Sequence, residues 1–496
     1  MRRHNPLAAS ILAAVCGAAL ALELARGGRP CTAAFFFCLA LAWRADFQVE
    51  ESDGALFCAA AAAYLSTFRW RGGDDGPASL IPFGLLRHHT LTLDPFVAEW
   101  FGAGKAEQNL VLARGHYLSI FPVAAGLLAL PFYLVTALSG AAIADPIVHQ
   151  LSKLSAAMIT AASVVAFRRA LRGRCSPRFA LALTSVYALG TWAFSVSSQG
   201  LWQHGPSCLG LALGLWGLNE SGRAADALAG AGFGLAVAAR PDSVFVAAAA
   251  GLMLLLGDRK RVAGFTLGAA VPALLLGGYW LAYTGRLLPP EHEYQAKIFA
   301  GFFQWDAFAA LALSPTRGLL CYCPVALLGL WGARRAGWRA ALLAAGALGP
   351  WILLSCYKGW TGGNTFGPRY FASTALVLLW LSAALERPLR ESSRARAAWC
   401  AAAAWSVLTQ ACGAYLNWPG SQEYAVQQAQ AWRWALHPVA QLAAGDGPLR
   451  ALPAPLRWGA LLAALAAAGG GAWALQGAAF AGDAAAARPQ PSRQAA

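Results

Sequence analysis

Apolar runs alternate with short polar loops along the whole 496-residue chain. The runs last about 17–22 residues, long enough for an α-helix to cross a hydrocarbon core of about 30 Å. Backbone groups in lipid must be paired within a helix or a closed barrel. No alternating ten-residue pattern appears, so strands are not expected. The pattern predicts an all-α fold: a polytopic membrane protein with about 12–14 transmembrane helices and juxtamembrane helices on the outer face. Crossings are expected near Pro6–Ala25, Cys31–Val49, Gly54–Trp70, Ile147–Phe167, Phe179–Val196, Pro206–Leu218, Ala225–Ala239, Val244–Gly257, Val262–Thr284, Thr316–Gly332, Ala340–Tyr357, Phe371–Leu385, Ala397–Leu416 and Leu456–Leu475.

Charge sets the sidedness of that pattern. Only 12% of residues are charged against 58% hydrophobic, and the net charge is +15. The basic residues fall in short loops, Arg168–Arg174, Asp258–Arg261, Ala333–Arg335 and Glu386–Arg396. This is the positive-inside arrangement, so the charge reports topology and implies no nucleic-acid partner. With the N-terminus inside, every strongly basic loop is cytoplasmic, provided that the apolar run Tyr117–Leu138 does not cross. That run is expected to dip into the outer face and return, or to lie along it; Pro122 and Pro131 permit a broken helix. The divisions that follow are N-terminal helices at 1–71, an outer-face loop with a juxtamembrane or dipping segment at 72–146, a transmembrane core at 147–475 and a disordered tail at 476–496. The first run, after Arg2 and Arg3, is expected to be an uncleaved anchor. The 11 cysteines are scattered without metal spacing and read as small buried hydrophobes.

Unusual polar residues gather in the outward loops. GGDDGPASLIPFGLLRHHTLTLDPF, Gly72 to Phe96, carries the acid pair Asp74 and Asp75, then Asp94. Carboxylates beside a bilayer are costly unless they sit in a polar cleft; the plainer reading is a wet loop. RGHYLSIFP adds His116 and Tyr117, and SSQGLWQHGPS adds Gln203 and His204. EHEYQAK contributes Tyr294, and YKGWTGGNTFGPRY contributes Lys358, Trp360, Arg369 and Tyr370. Arg240, Arg317 and Arg369 at three helix ends, with Lys358, could surround a phosphate at headgroup depth through bidentate contacts. An acid on the same face could take a proton from a hydroxyl. Plainer readings stand beside these: Arg240 and Arg317 snorkelling, His204 satisfied at an interface, Trp202, Trp305 and Trp360 as interface anchors, and Asp94 as a turn residue before Pro95. Glu291-His292-Glu293 makes no recognised metal site. GAGFG at Gly230–Gly234 lies in an apolar run without a preceding strand, so it is no nucleotide fingerprint.

The order GD-x-x-PA-x-x-IPFGLL, H-Y-x-x-x-FP-V-A-A-x-LLALPFY, SVSSQ-x-LWQHGP, a helix ending in RP, SPTRGLL-x-Y-x-PV and W-x-GG-x-x-FGPRY resembles bacterial multi-pass proteins of the C-type (GT-C) glycosyltransferase superfamily. In outline it is similar to protein mannosyltransferases and the lipid A aminoarabinose transferase, over roughly Gly72 to Leu385. The resemblance implies an inverting transferase of the cell envelope, seated in the cytoplasmic (inner) membrane. Its site would lie on the non-cytoplasmic face. It would use a polyprenyl-phosphate sugar as substrate and no nucleotide or resident cofactor, with a divalent metal left open. The acceptor would be a hydroxyl on a glycan, lipid or protein. By spacing to Pro77, Asp74 matches the family's acid better than Asp75. The remaining outward residues (Asp75, Asp94, His116, Tyr117, Gln203, His204, Tyr294, Trp360 and Tyr370) would line the substrate. The alternative is a non-catalytic transporter or scramblase of lipid-linked sugars. A carrier should show charges along its path and inverted repeats, and no repeat is visible.

Overall fold

The computed structural model describes residues 6–45, 52–67, 73–101, 109–290, 299, 301–363, 365–415 and 423–444. The crossing expected at Leu456–Leu475, the tail and Glu291–Lys297, with Tyr294, lie outside them. Helices dominate. Those of nine residues or more are, in chain order, α1 (Pro6–Arg26), α2 (Pro30–Arg44), α3 (Asp53–Leu65), α4 (Gly76–His88), α5 (Ala124–Leu138), α6 (Asp145–Ala170), α7 (Pro177–Leu189) and α8 (His204–Asn219). There follow α9 (Arg223–Ala239), α10 (Val244–Gly257), α11 (Val262–Thr284), α12 (Trp305–Leu313), α13 (Pro324–Ala336), α14 (Trp338–Leu354), α15 (Ala372–Leu381) and α16 (Ser393–Tyr415).

This is a polytopic helical membrane architecture. α6 and the helical stretch Arg259–Thr284 are long and apolar enough to cross a membrane unaided, and several shorter apolar helices accompany them. Their surroundings differ. α6 is buried in the centre of the bundle, whereas the other span is almost bare, with Leu267, Leu274 and Leu275 each at least 70% exposed. A bare leucine face of that length has lipid as its solvent. Small residues bring helix backbones together: a Cβ added at Gly217 in α8 would lie 2.4 Å from the Ala229 nitrogen of α9. The same need accounts for GAGFG, since a Cβ at Gly230 would strike the Phe265 carbonyl of α11.

The bundle has two polar ends, joined by α6. At one, Arg169 and Arg172 hold Asp53 at 2.7 and 3.1 Å, and Arg390 holds Glu386 at 2.8 Å. Arg261 donates to the carbonyls of Gly217 and Leu218 there. At the other end α4 and α5 pack side by side, with Phe83 edge-on to Tyr133 at 5.1 Å. The run Tyr117–Leu138 divides between a strand and α5. Pro131 lies inside α5 without breaking it. Both ends of α5 stay at this second end of the bundle: Ala124 packs on Ala238 and Ala239 at the C-terminus of α9, and Thr136 Oγ1 donates to the Leu24 carbonyl near the end of α1.

Strands were not expected, and one small sheet corrects that. β1 (Leu110–Ala113) pairs antiparallel with β2 (His116–Ser119), Leu110 opposite Ser119 and Ala113 opposite His116. The two-residue link, Arg114 and Gly115, has φ of 50° and 82°, the positive values that suit the twist of a tight hairpin. The lipid argument against strands does not reach a loop whose backbone meets water.

Candidate active site

The acid pair sits where a 3-10 turn, Gly73–Asp75, runs into α4, with Pro77 in the first turn, where its missing N–H costs nothing. The turn gives the two carboxylates opposite surroundings. Asp75 is 3% exposed; its Oδ2 accepts from Ser152 Oγ of α6 at 2.9 Å, and its carbonyl accepts from Ser79 Oγ. Ser152 Oγ also accepts from the Leu201 N–H at 2.9 Å, so Asp75 ties α4 to α6 and to the turn before α8. Asp74 keeps 38% of its side chain exposed and meets Arg369 Nη2 through Oδ2 at 2.8 Å.

Arg369 opens the turn before α15 and is 8% exposed. Its Nη2 also reaches the Gly362 carbonyl at 3.3 Å. The guanidinium carbon lies 4.3 Å from the ring centre of Trp202 and 5.6 Å from that of Tyr370. Nε is buried without a hydrogen-bond partner among the described residues. Burial would lower the Arg369 pKa, but the charge of Asp74 and the nearby Tyr370 reverse that and hold it above the ordinary arginine value.

The structure brings Arg240 to the same ring, also 5.6 Å from the centre of Tyr370. Its donors are engaged: Nε and Nη2 fork onto Asp242, with Nε–Oδ1 at 3.0 Å, and Nη1 contacts His204 Nδ1. His204 is 4% exposed and packs 6.2 Å from Trp202 and 6.5 Å from Tyr370. Arg317 behaves differently. Its Nη1 donates to the carbonyls of Thr365 and Gly367 at 2.8 and 2.9 Å, and Nη2 to that of Gly363 at 3.2 Å, which clamps the loop carrying Arg369.

Other predicted residues scatter. Lys358 is exposed, Gln203 half-buried, and Trp360, at 5% exposure, belongs to the hydrophobic core. Asp94 and His116 pair at 2.7 Å near the C-terminal end of α4, away from Asp74, with the Tyr117 N–H on the other Asp94 oxygen at 2.7 Å. Burial pushes the Asp94 carboxyl up, but the Tyr117 N–H and His116 outweigh it and hold its pKa below the ordinary value. Among the described residues no group of three His, Cys, Asp or Glu gathers to hold a metal ion.

Sequence reasoning missed the Asp242 fork, the Trp202 face on Arg369, and Lys153. The last is 2% exposed in α6, with Nζ donating to the Ser198 carbonyl at 2.8 Å and to Gln199 Oε1 at 2.9 Å. A lone lysine inside an apolar run was the signal available for it.

No protein-family model matches the chain, and no curated protein matches it in sequence. Among solved structures it is similar to ArnT from Cupriavidus metallidurans bound to undecaprenyl phosphate, at 16% identity over 85% of this chain and 75% of that one, with a TM-score of 0.47. It is also similar to arabinosyltransferase EmbB from Mycobacterium smegmatis (14% identity, 90% and 44% coverage, TM-score 0.43) and to the Archaeoglobus fulgidus oligosaccharyltransferase (14%, 78% and 56%, TM-score 0.42). At TM-scores below 0.5 these are loose likenesses.

Proposed function

We propose that the chain is a GT-C glycosyltransferase that moves a sugar from a polyprenyl-phosphate donor to a hydroxyl acceptor at the non-cytoplasmic face of the cytoplasmic membrane. One observation carries the reading: a part-exposed carboxylate, Asp74, stands 2.8 Å from a buried arginine that keeps a spare donor. The motif order from Gly72 to Tyr370 supports it independently.

Asp74 takes the proton of the acceptor hydroxyl as its oxygen attacks the anomeric carbon. The bond from that carbon to the phosphate oxygen breaks on the opposite side, its electron pair stays on the phosphate, and configuration inverts. Charge therefore grows on the leaving phosphate, and Arg369 meets it. A well-placed donor to such charge is worth about 3–4 kcal/mol of barrier. Arg240, neutralised by Asp242, holds His204 and Tyr370 in place, and Arg317 holds the loop. The acceptor is a glycan, lipid or protein hydroxyl.

The experiment is sugar transfer in membrane vesicles from a radiolabelled polyprenyl-phosphate donor. Wild type should transfer and Asp74→Asn should not. Equal rates would remove Asp74 from the mechanism and return the transporter reading.

A further inference from the structure

A donor phosphate at Arg369 would call on a guanidinium that Asp74 already holds. Asp74 Oδ2 occupies Arg369 Nη2 at 2.8 Å, on the fork a phosphate would use. Arg369 has little freedom to serve both. Trp202 covers one face of it, the Gly362 carbonyl takes a further hydrogen bond, and Arg317 pins the preceding loop. Asp74 is the looser partner. Its side chain is 38% exposed against 10% for that of Arg369, and it lies in a three-residue turn ahead of α4.

We infer that the Asp74–Arg369 pair is a latch that the donor phosphate opens. This rests on the reading of Arg369 as the phosphate contact. With Oδ2 committed to the guanidinium at 2.8 Å, the carboxylate is anchored toward Arg369 and cannot turn both oxygens to an acceptor hydroxyl. The phosphate of the donor displaces Asp74 from Nη2 and draws on the buried Nε, which has no partner among the described residues. Asp74 swings free only when a donor is in place to be attacked. An acceptor that arrives first finds the base tied up, so binding is ordered, donor before acceptor. The return stroke follows from the same competition. After transfer Asp74 holds the acceptor's proton and no longer rivals the phosphate. Once that proton leaves to water, the carboxylate competes again for Arg369 and helps expel the spent polyprenyl phosphate.

The test is binding, which separates the latch from the transferase reading. Full-length protein in lipid nanodiscs is titrated with polyprenyl monophosphate, as wild type, Asp74→Asn and Asp74→Ala. Removing the competing anion should tighten binding, by about tenfold for Asp74→Ala, the equivalent of about 1.4 kcal/mol, and by less for Asp74→Asn, whose amide oxygen still accepts. Equal or weaker binding in both variants overturns the latch, whatever their turnover; so does absence of binding throughout. Should the variants fail to fold, carbodiimide labelling of Asp74 in the wild type, mapped by mass spectrometry, decides it. Labelling should rise several-fold when polyprenyl monophosphate is added, and an unchanged or lower yield overturns the proposal.

Discussion

Asp74 and Asp75 are neighbours in sequence whose substitutions should fail in different ways. Asp74→Asn keeps size and some hydrogen bonding but cannot take a proton, so transfer should fall by about 100-fold or more, while its amide oxygen can still accept from Arg369 and the melting temperature should fall less than for Asp75→Asn. Asp75→Asn acts on the joint between α4, α6 and the Leu201 turn. It should cost about 1–3 kcal/mol of stability, read as a lower melting temperature, with residual activity in the protein that folds. The reverse pattern would exchange their roles. The arginines divide similarly. Arg369→Lys should cut transfer sharply, because an ammonium cannot present a fork while lying flat against Trp202. The motif spacing to Pro77 set Asp74 apart as the candidate acid. It was silent on Asp75's burial, which depends on Ser152, 77 residues away. It was equally silent on whether an arginine's donors are already taken, and that is what separates Arg369 from Arg317.

The helices were legible because most apolar runs have the length of a membrane crossing; the division of Tyr117–Leu138 between a strand and α5 was not. Tyr117–Leu138 is uniformly apolar, and the register of β1 on β2 depends on a turn of two residues that hydropathy does not register. What anchors the hairpin is the Asp94 carboxylate, which holds the His116 ring and the Tyr117 N–H. Asp94→Ala should release it, and trypsin should then cleave faster at Arg114 in the exposed turn. The pH sign follows from the depressed Asp94 pKa. The folded state favours the ionised form, so this stabilisation is complete above the unfolded carboxylate value of about 3.9. It is lost as pH falls through the lower, folded value. From pH 8 down to pH 5 the Asp94 contribution should not change cleavage; a rise on passing from pH 7 to pH 5 would mean that Asp94 is not what holds the hairpin. Packing at the element scale is tested at Gly217, where α8 and α9 touch through backbone. Gly217→Leu should separate the two helices and cost about 1–3 kcal/mol, visible as a depressed melting temperature.

The molecule as a whole is a bundle with the candidate site at one end and basic loops at the other. α6 links them: Ser152 binds Asp75 at the end where α4 and α5 pack, and Arg169 binds Asp53 at the basic end. At a rise of about 1.5 Å per residue Ser152 and Arg169 lie about 25 Å apart along the axis, and the whole 26-residue helix, about 39 Å long, is enough to span a hydrocarbon core of about 30 Å. Several basic residues at the basic end are already paired, as Arg169 and Arg172 are with Asp53. The positive-inside rule counts lysine and arginine irrespective of such pairing, so the orientation argument survives the ion pairs. It predicts Arg172 in the cytoplasm and the hairpin outside. A membrane-impermeant maleimide on intact cells tests this with Arg172→Cys, whose native side chain is 55% exposed, and Leu112→Cys, at 61%. The background needs only Cys16, Cys175, Cys356 and Cys400 replaced, because the other seven cysteines are buried. Leu112→Cys should label on intact cells and Arg172→Cys only after permeabilisation. Labelling at 172 from outside would invert the bundle. Asp74 would then face the cytoplasm, and any donor would have to present its sugar there.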